Sequence, residues 1–286
     1  MRVRRRRRRV AAALAPLVAA GLVAAPSAWA DRAGSVTASG GPVRATLSWK
    51  AADLGVSDPR LVIARSGATA FSGSPFGSRS ACAQGGCSLL PSGRRSSPLQ
   101  VRDLDGDGDP EVLVDAFTGG AHCCATTVVL RRDAASGTYA PRELEWGNAG
   151  YELRDPDRDG TPEFVTMDDV FAGAFTAYAA SISPIKVAHF DPARRTGLAA
   201  VTRRFPALVR ADLARIQRRI RSLRRQHIDL RGAIAAEVAE QYLLGRARTA
   251  RRTLDAHLRR GDVRPRRAGP AFRRHLLRFL HRHGYR

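Results

Sequence analysis

The chain has 286 residues, of which 44% are hydrophobic, and 48 Lys and Arg face 26 Asp and Glu, for a net charge of +22. This length and composition allow one or two domains with a buried core. They exclude full disorder, collagen and a protein with many membrane spans.

Residues 1–30 have the pattern of a secretory signal peptide. Seven arginines precede an uncharged run rich in Ala, Leu and Val, and Ala28-Trp29-Ala30 offers a small-x-small cleavage site. The run is shorter than the roughly 20 residues that a membrane span needs. We therefore predict a secreted protein, extracellular or associated with the cell wall, that contacts a membrane only if the signal segment stays uncleaved.

Residues 31–200 predict a β-rich domain. Short alternating or apolar runs, bounded by Gly, Pro, Ser and Asp, indicate strands. These runs lie at residues 43–49, 60–64, 111–115, 126–130, 163–167 and 185–190. The Gly- and Ser-rich stretch 66–95 is predicted to be a long loop.

Residues 201–286 predict a basic α-helical domain. Alternating spacings of four and three residues place one apolar set on a single helix face: Val209, Leu213, Ile216, Ile220 and Leu223. Further helices are predicted at residues 229–244, at 247–260 and from about 270 onward. This domain holds 24 Arg against 6 acidic residues, whereas residues 31–200 hold 17 Lys and Arg against 20 acidic residues. The predicted fold class is therefore α+β.

A repeated acidic motif is the strongest chemical signal in the sequence. The nine residues Asp103-Leu-Asp105-Gly-Asp107-Gly-Asp109-Pro-Glu111 recur 52 positions later as Asp155-Pro-Asp157-Arg-Asp159-Gly-Thr161-Pro-Glu163. Carboxylates at alternate positions of a tight loop converge on one point, and the glycine that follows them permits the sharp turn. Such hard oxygen ligands favour Ca²⁺ over Zn²⁺ or Cu²⁺.

The residues after the motif decide the class of loop. An EF-hand needs a bidentate Glu at position 12, and those positions are Val114 and Thr166. The motif followed at once by an apolar strand resembles the FG-GAP/VCBS repeats of β-propellers, including integrin-type propellers, over residues 99–190.

This resemblance implies a calcium ion clamped between adjacent strands of a propeller blade. In the first loop the implied ligands are the side chains of Asp103, Asp105, Asp107 and Glu111 and a backbone oxygen of Asp109. In the second loop they are the side chains of Asp155, Asp157, Asp159 and Glu163 and a backbone oxygen of Thr161.

The number of repeats departs from the family pattern. At 52 residues per repeat, residues 31–200 have room for at most three blades, whereas a closed propeller has about four to eight. The region can be an open or capped fragment, part of an assembly of several chains, or a blade-derived sandwich. We favour a small β domain that is not a closed propeller and whose exposed edge the C-terminal helices cover.

Four cysteines predict disulfides in an exported chain: Cys82, Cys87, Cys123 and Cys124. A bridge between the adjacent Cys123 and Cys124 is the least favoured, because its ring is strained. Two pairings stay open. Either Cys82 and Cys87 each pair with the 123–124 segment, or they pair with each other and leave a redox-active vicinal pair.

No catalytic residue is predicted. His122 is a poor base for the adjacent Cys123, because neighbouring side chains of a strand point to opposite faces. The spacing of these residues matches no common zinc site. A group of C-terminal histidines lies among arginines and is expected to be solvated: His257, His275, His281 and His283.

Two functions remain open from the sequence. One is a secreted calcium-binding module for binding or surface interaction, and the other is an extracellular hydrolase or thiol-redox enzyme with structural calcium. The basic helices would suit an anionic cell-wall polymer or an extracellular protein or glycan. Sequence-specific binding of nucleic acid is not expected of an exported chain.

Overall fold

The structure is a computed structural model that describes residues 33–53, 55–77, 82, 86–93, 97–120 and 123–286. The predicted signal peptide and His122 lie outside the described residues. Within these ranges the chain forms three four-stranded antiparallel sheets and then a helical region, which confirms the α+β class. In the same ranges, no helix combines the length and the apolar character that a membrane crossing requires.

Each sheet is built from four strands that are consecutive in the chain. The first sheet contains β1 (Gly34–Gly40), β2 (Val43–Ala52), β3 (Gly55–Arg65) and β4 (Ala68–Gly73). The second contains β5 (Leu99–Arg102), β6 (Glu111–Phe117), β7 (Ala125–Arg132) and β8 (Tyr139–Glu145). The third contains β9 (Glu152–Arg154), β10 (Glu163–Met167), β11 (Ile185–Phe190) and β12 (Leu198–Ala200).

Strand β4 falls inside the stretch predicted to be a loop, so that prediction is wrong at residues 68–73. Its residues pair with β3 from Arg65↔Ala68 to Leu61↔Gly73. The strand lies at the sheet edge and is mostly exposed. Backbone pairing with β3 therefore holds it in place, and a strand of this kind leaves little hydrophobic pattern in the sequence.

The layers stack in chain order. In β6, Val112 and Val114 pack toward the first sheet, while Leu113 packs toward the third. This burial on both faces explains why Val112, Leu113 and Val114 form a continuous apolar run instead of alternating with polar residues.

The third sheet is also covered on both faces. Ala188 and Phe190 of β11 pack in the cluster shared with the second sheet. Ile185 and Val187 pack against Phe205 and Val209 of the helical region. The helices therefore cover a face of the sheet at the inner strand β11, and the expectation that they cover an exposed edge is wrong for these contacts.

Four helices form the last layer: α1 (Pro206–Arg225), α2 (Arg231–Leu243), α3 (Ala247–Arg260) and α4 (Gly269–Arg282). The apolar face predicted for α1 is confirmed, because all five of its predicted residues are buried. Helix α2 is buried along most of its length. It forms the centre of the helical core, with α1 and α3 on either side.

The prediction that His257 is solvated is wrong. This residue is 3% exposed, whereas His275, His281 and His283 are exposed as expected. Its Nε2 lies 2.8 Å from Glu237 Oε2 and its Nδ1 lies 2.6 Å from Asp262 Oδ2. Burial would raise the pKa of Asp262, but hydrogen bonds from Arg224, His257 and Arg260 hold that pKa at about 2. The face of α3 that meets α2 therefore carries a buried polar network.

Candidate metal centre

The two acidic loops occupy equivalent places in two sheets. Residues 103–110 join β5 to β6, and residues 155–162 join β9 to β10. The loops are neighbours, since a Cβ added to Gly106 would lie 3.0 Å from Thr161 Oγ1. Asp103 and Asp155 line a common cleft of about 480 Å³, together with Gly41 from the corresponding turn of the first sheet.

The same hydrogen bonds shape both loops. The Gly108 N–H donates to Asp103 Oδ2 at 2.9 Å, and the Gly160 N–H donates to Asp155 Oδ2 at 3.0 Å. These two glycines have φ of 83° and 93°, a left-handed region that favours glycine. The repeated sequence is therefore a repeated backbone conformation.

Only three of the carboxylates in each loop lie close enough together to share one metal ion. Ligand atoms of Asp103, Asp105 and Glu111 lie within 4.8 Å of one another. The same holds for Asp155, Asp157 and Asp159 of the second loop. Asp107 and Glu163 lie outside these groups. The side chain of Asp109 pairs with Arg65 and Arg132, so it would leave only its backbone oxygen for an ion, and Thr161 was predicted to offer the same.

A buried glutamate closes each loop. Glu111 and Glu163 are 0% and 1% exposed. Glu111 Oε2 accepts a hydrogen bond from the Leu104 N–H at 2.8 Å, but in the described part of the chain Glu111 Oε1 and Glu163 Oε2 have no hydrogen-bond partner. Buried carboxylate oxygens without a partner are costly. A cation in each loop would supply the missing partner.

Burial also changes how these glutamates ionise. Burial, with smaller contributions from Asp105 and Asp107, raises the pKa of Glu111 to about 8 against the opposing effects of the Leu104 N–H and Arg131. Burial, followed by Asp157 and Asp159, raises the pKa of Glu163 to about 7. Both shifts have the origin expected where a carboxyl group is buried beside other carboxylates.

Arg131 is a residue of this site that the motif does not reveal. Its Nε lies 2.9 Å from Asp105 Oδ2 and 3.6 Å from Glu111 Oε1, and its Nη2 lies 2.8 Å from Asp107 Oδ2. It comes from β7, one residue beyond the pair Val112↔Leu130. The strand register could have pointed to it, since it places Arg131 across from Glu111.

The cysteines pair locally. Cys82 bonds to Cys87, and Cys123 bonds to the adjacent Cys124. The predicted pairing of Cys82 and Cys87 with the 123–124 segment is therefore wrong, and the vicinal bridge that was least favoured is formed. Cys82 and Cys87 are packed in the core between the first and second sheets, whereas Cys123 and Cys124 lie outside that core at the start of β7.

Comparisons with known proteins give distant relatives. No protein-family model matches the chain. A probable thylakoid lumen protein of Synechocystis sp. is 27% identical over 159 residues, which cover 51% of this chain and 44% of that protein. An uncharacterized protein of Sinorhizobium fredii is 28% identical over 83 residues, which cover 29% of this chain and 13% of that protein. The chain thus spans less than half the length of these two relatives.

One solved structure, that of a Xanthomonas protein related to type IV secretion systems, covers 59% of this chain and 93% of its own. Its TM-score of 0.29 and sequence identity of 14% are too low to support an argument about fold or function.

Proposed function

We propose that the protein is an exported calcium-binding module whose two acidic loops each hold one structural Ca²⁺. The observation that carries the proposal is the pair of buried glutamates, Glu111 and Glu163, each with one carboxylate oxygen that accepts no hydrogen bond in the described part of the chain. Oxygen-rich loops of this kind suit Ca²⁺, which takes several carboxylate and carbonyl ligands in flexible geometry.

The layered sheets support a blade-like arrangement. Three sheets of four consecutive strands stack face to face, and both loops join the first strand of a sheet to the second. This fits the resemblance to FG-GAP/VCBS repeats, with three blades in an open arrangement. In that arrangement calcium would fix the loop between two strands and would have no catalytic part.

The proposed location is outside the cytoplasm. The sequence of residues 1–30, the two disulfides and a relative described as a thylakoid lumen protein all support a lumenal or extracellular compartment. Within that range we propose secretion, with the protein free or associated with the cell wall.

The helical region provides the proposed binding surface. Its acidic residues are already engaged, as in the pairs Asp229–Arg231, Asp255–Arg273 and Asp262–Arg224. The exposed arginines of α1, such as Arg218, Arg219 and Arg225, have no carboxylate partner in the described part of the chain. An anionic cell-wall polymer is the proposed partner, and an extracellular protein or glycan is the alternative.

Thermal unfolding with Ca²⁺ and then with a chelator tests the calcium proposal. A ligand that binds only the folded state at a hundred times its dissociation constant adds about 2.7 kcal/mol to the free energy of unfolding. We expect a gain from each loop in the native chain, up to this value for each filled site, and the loss of both gains in the double variant Asp105→Ala/Asp157→Ala. Asp53→Ala, which removes an exposed acid outside the loops, is the matched control. Equal unfolding temperatures with calcium and with chelator would refute the proposal.

A second candidate function is thiol–disulfide exchange, because Cys123 is exposed and bonded to Cys124. An incoming dithiol would attack one Sγ through its thiolate and release the other Sγ as a thiolate. Its second thiol would then attack the substrate sulfur of this mixed disulfide and release the attached Sγ as a thiolate, which leaves both cysteines reduced and the substrate as a disulfide. Catalysed oxidation of a small dithiol with an added oxidant, lost in Cys124→Ser, would support this function. The hydrolase alternative gains no support from the described residues.

A further inference from the structure

A cavity of about 580 Å³ opens between the second and third sheets. It lies beside the start of β7 and the end of β10, whereas the acidic loops lie at the other end of β10. This volume is in the range of small-molecule sites. The cavity is therefore separate from the proposed calcium sites.

One wall of the cavity is apolar and firmly held. It includes the Cys123–Cys124 disulfide, Trp146 and Met167. Trp146 is 5% exposed, its Nε1–H donates to Thr127 Oγ1 at 2.9 Å, and its ring packs on Phe164 with a centroid distance of 5.0 Å. The indole is thus fixed before any ligand arrives.

The disulfide is fixed to the same wall. Cys123 and Cys124 directly precede β7, and the bond keeps their two Sγ atoms together. Cys124 has φ of 142°, a conformation that residues with a side chain rarely adopt. The N–H groups of Cys124 and Ala125 both donate to the Gly147 carbonyl, at 3.0 and 2.8 Å. An uncommon backbone conformation is therefore maintained at a cavity wall, as is typical of functional sites.

The polar groups of the cavity are mainly carboxylates. Its described lining carries four acidic side chains and one lysine: Glu143, Glu145, Asp168, Asp169 and Lys186. The lysine Nζ lies 3.5 Å from Asp168 Oδ1, and Asp168 Oδ2 accepts a hydrogen bond from the Tyr285 hydroxyl at 2.7 Å. In the described part of the chain, Glu145 and Asp169 have no cationic partner. This local acidity is the reverse of the chain's net charge of +22.

We propose that this cavity binds a small organic cation, an ammonium or guanidinium group on an apolar body. The disulfide, Trp146 and Met167 would pack against the body, while Glu145 and Asp169 would pair with the charge. An anion would meet several carboxylates, and a metal ion would leave the apolar wall unused.

Calorimetric titration of the full chain, with Ca²⁺ present at saturation, tests the proposal with three probes of one shape. Benzylamine is the cation, benzyl alcohol is its neutral analogue and benzoate is the anion. We expect benzylamine to bind at least about tenfold more tightly than benzyl alcohol, and benzoate to show no binding. Saturating Ca²⁺ keeps the acidic loops from competing for the amine, so a failure here is distinct from a failure of the calcium proposal.

Two pairs of variants locate the site. Glu145→Gln/Asp169→Asn is expected to weaken benzylamine binding about tenfold or more, whereas Asp53→Asn, an exposed acid outside the cavity, leaves it unchanged. Cys123→Ser/Cys124→Ser is expected to weaken it, and Cys82→Ser/Cys87→Ser, at a bridge in another core, is not. Thermal unfolding of each variant checks that it is folded before its affinity is compared. Equal affinity for all three probes, no binding at all, or an equal loss in Asp53→Asn would overturn the proposal.

Discussion

In the first acidic loop the guanidinium of Arg131 contacts three carboxylates. In the second loop an arginine contacts one carboxylate, at a longer distance. The register pairs Val112 with Leu130 and Phe164 with Ala188. One residue further, Glu111 stands across from Arg131 and Glu163 stands across from His189. In the second loop Arg204 forms an ion pair with Asp157, with Nη2 at 3.5 Å from Oδ2. The side chain of Arg204 is 58% exposed.

This difference shows that a shared motif fixes the loop backbone but not its counter-charge. A guanidinium among the carboxylates neutralises the same oxygens that a divalent cation would use. A neighbouring strand, outside the motif, therefore sets how strongly each loop should attract calcium. We expect the second loop to hold the tighter ion.

The largest expected effect is the loss of calcium-dependent stability when one aspartate is removed from one loop at a time. Asp157→Ala should lose the full contribution of a well-filled site, about 2.7 kcal/mol with calcium at a hundred times its dissociation constant. Asp105→Ala should lose less, because Arg131 already competes for the first site. Chemical unfolding with Ca²⁺ and with chelator measures both losses. A larger loss in Asp105→Ala would reverse the ranking of the two loops.

The next effect concerns the competing guanidinium. Arg131→Gln should tighten calcium binding to the first loop by about tenfold, or about 1.4 kcal/mol. A larger gain is not expected, because this arginine is 32% exposed and solvent screens part of its charge. Calorimetric titration with Ca²⁺ measures the change.

Arg132→Gln is the matched control for that variant, since Arg132 is the next residue of β7 and pairs only with Asp109 among the described carboxylates. It should leave the first site within about twofold of the native affinity. If Arg131→Gln and Arg132→Gln behave alike, general charge and not direct competition governs the loop.

A smaller contrast is expected in the dependence on pH. Because the folded pKa of Glu111 and Glu163 is raised to about 8 and about 7 from the ordinary value of 4.5, the unfolded chain loses these protons first. The free energy of unfolding in chelator should therefore fall as pH rises from about 4.5 toward 8. Glu111→Gln should remove more of this fall than Glu163→Gln, by on the order of 1 kcal/mol at pH 8.

Unfolding curves at several pH values, recorded in chelator, measure that contrast. Added Ca²⁺ should remove the fall in both cases, since an ion in the loop favours the deprotonated glutamate. A native chain whose stability rises between pH 5 and 8 in chelator would contradict the raised pKa of these two buried glutamates.

The smallest contrast is expected in the backbone, where the loops are alike. Gly108→Ala and Gly160→Ala each place a side chain at a left-handed φ, and a Cβ at either position meets nothing within 4 Å. Each should cost about 1 kcal/mol from conformation alone. Thermal unfolding of the two variants in chelator measures both losses of stability. Losses that differ by more than about 0.5 kcal/mol would show that the two loop backbones are not equivalent.

The sequence predicted those parts of the molecule that depend on local patterns. The face of α1 from Val209 to Leu223 follows the helical period, and β6 and β10 follow the acidic motif directly. Strands such as β4 and β12 were missed, because their pairing partners hold them and their own residues show little periodicity. The calcium ligands themselves remain a prediction.

What the sequence did not reveal depends on contacts between distant segments. Arg131 enters the first loop from another strand, and His257 is buried because α3 packs on α2. The vicinal bridge was disfavoured because its ring is strained, yet the structure forms it, with Cys124 at φ of 142°. Each of these features requires the register or the packing of two elements, which a single sequence does not supply.

The stacking of layers in chain order has a consequence for how the chain reaches its folded state. Each hydrophobic cluster joins adjacent layers: first sheet to second, second to third, and third to helices. A chain that emerges from a membrane channel with its N-terminus first would find every new layer's partner already in place. Assembly would then proceed by successive addition, and at each moment the surface open to aggregation would be one unpaired layer instead of a whole core.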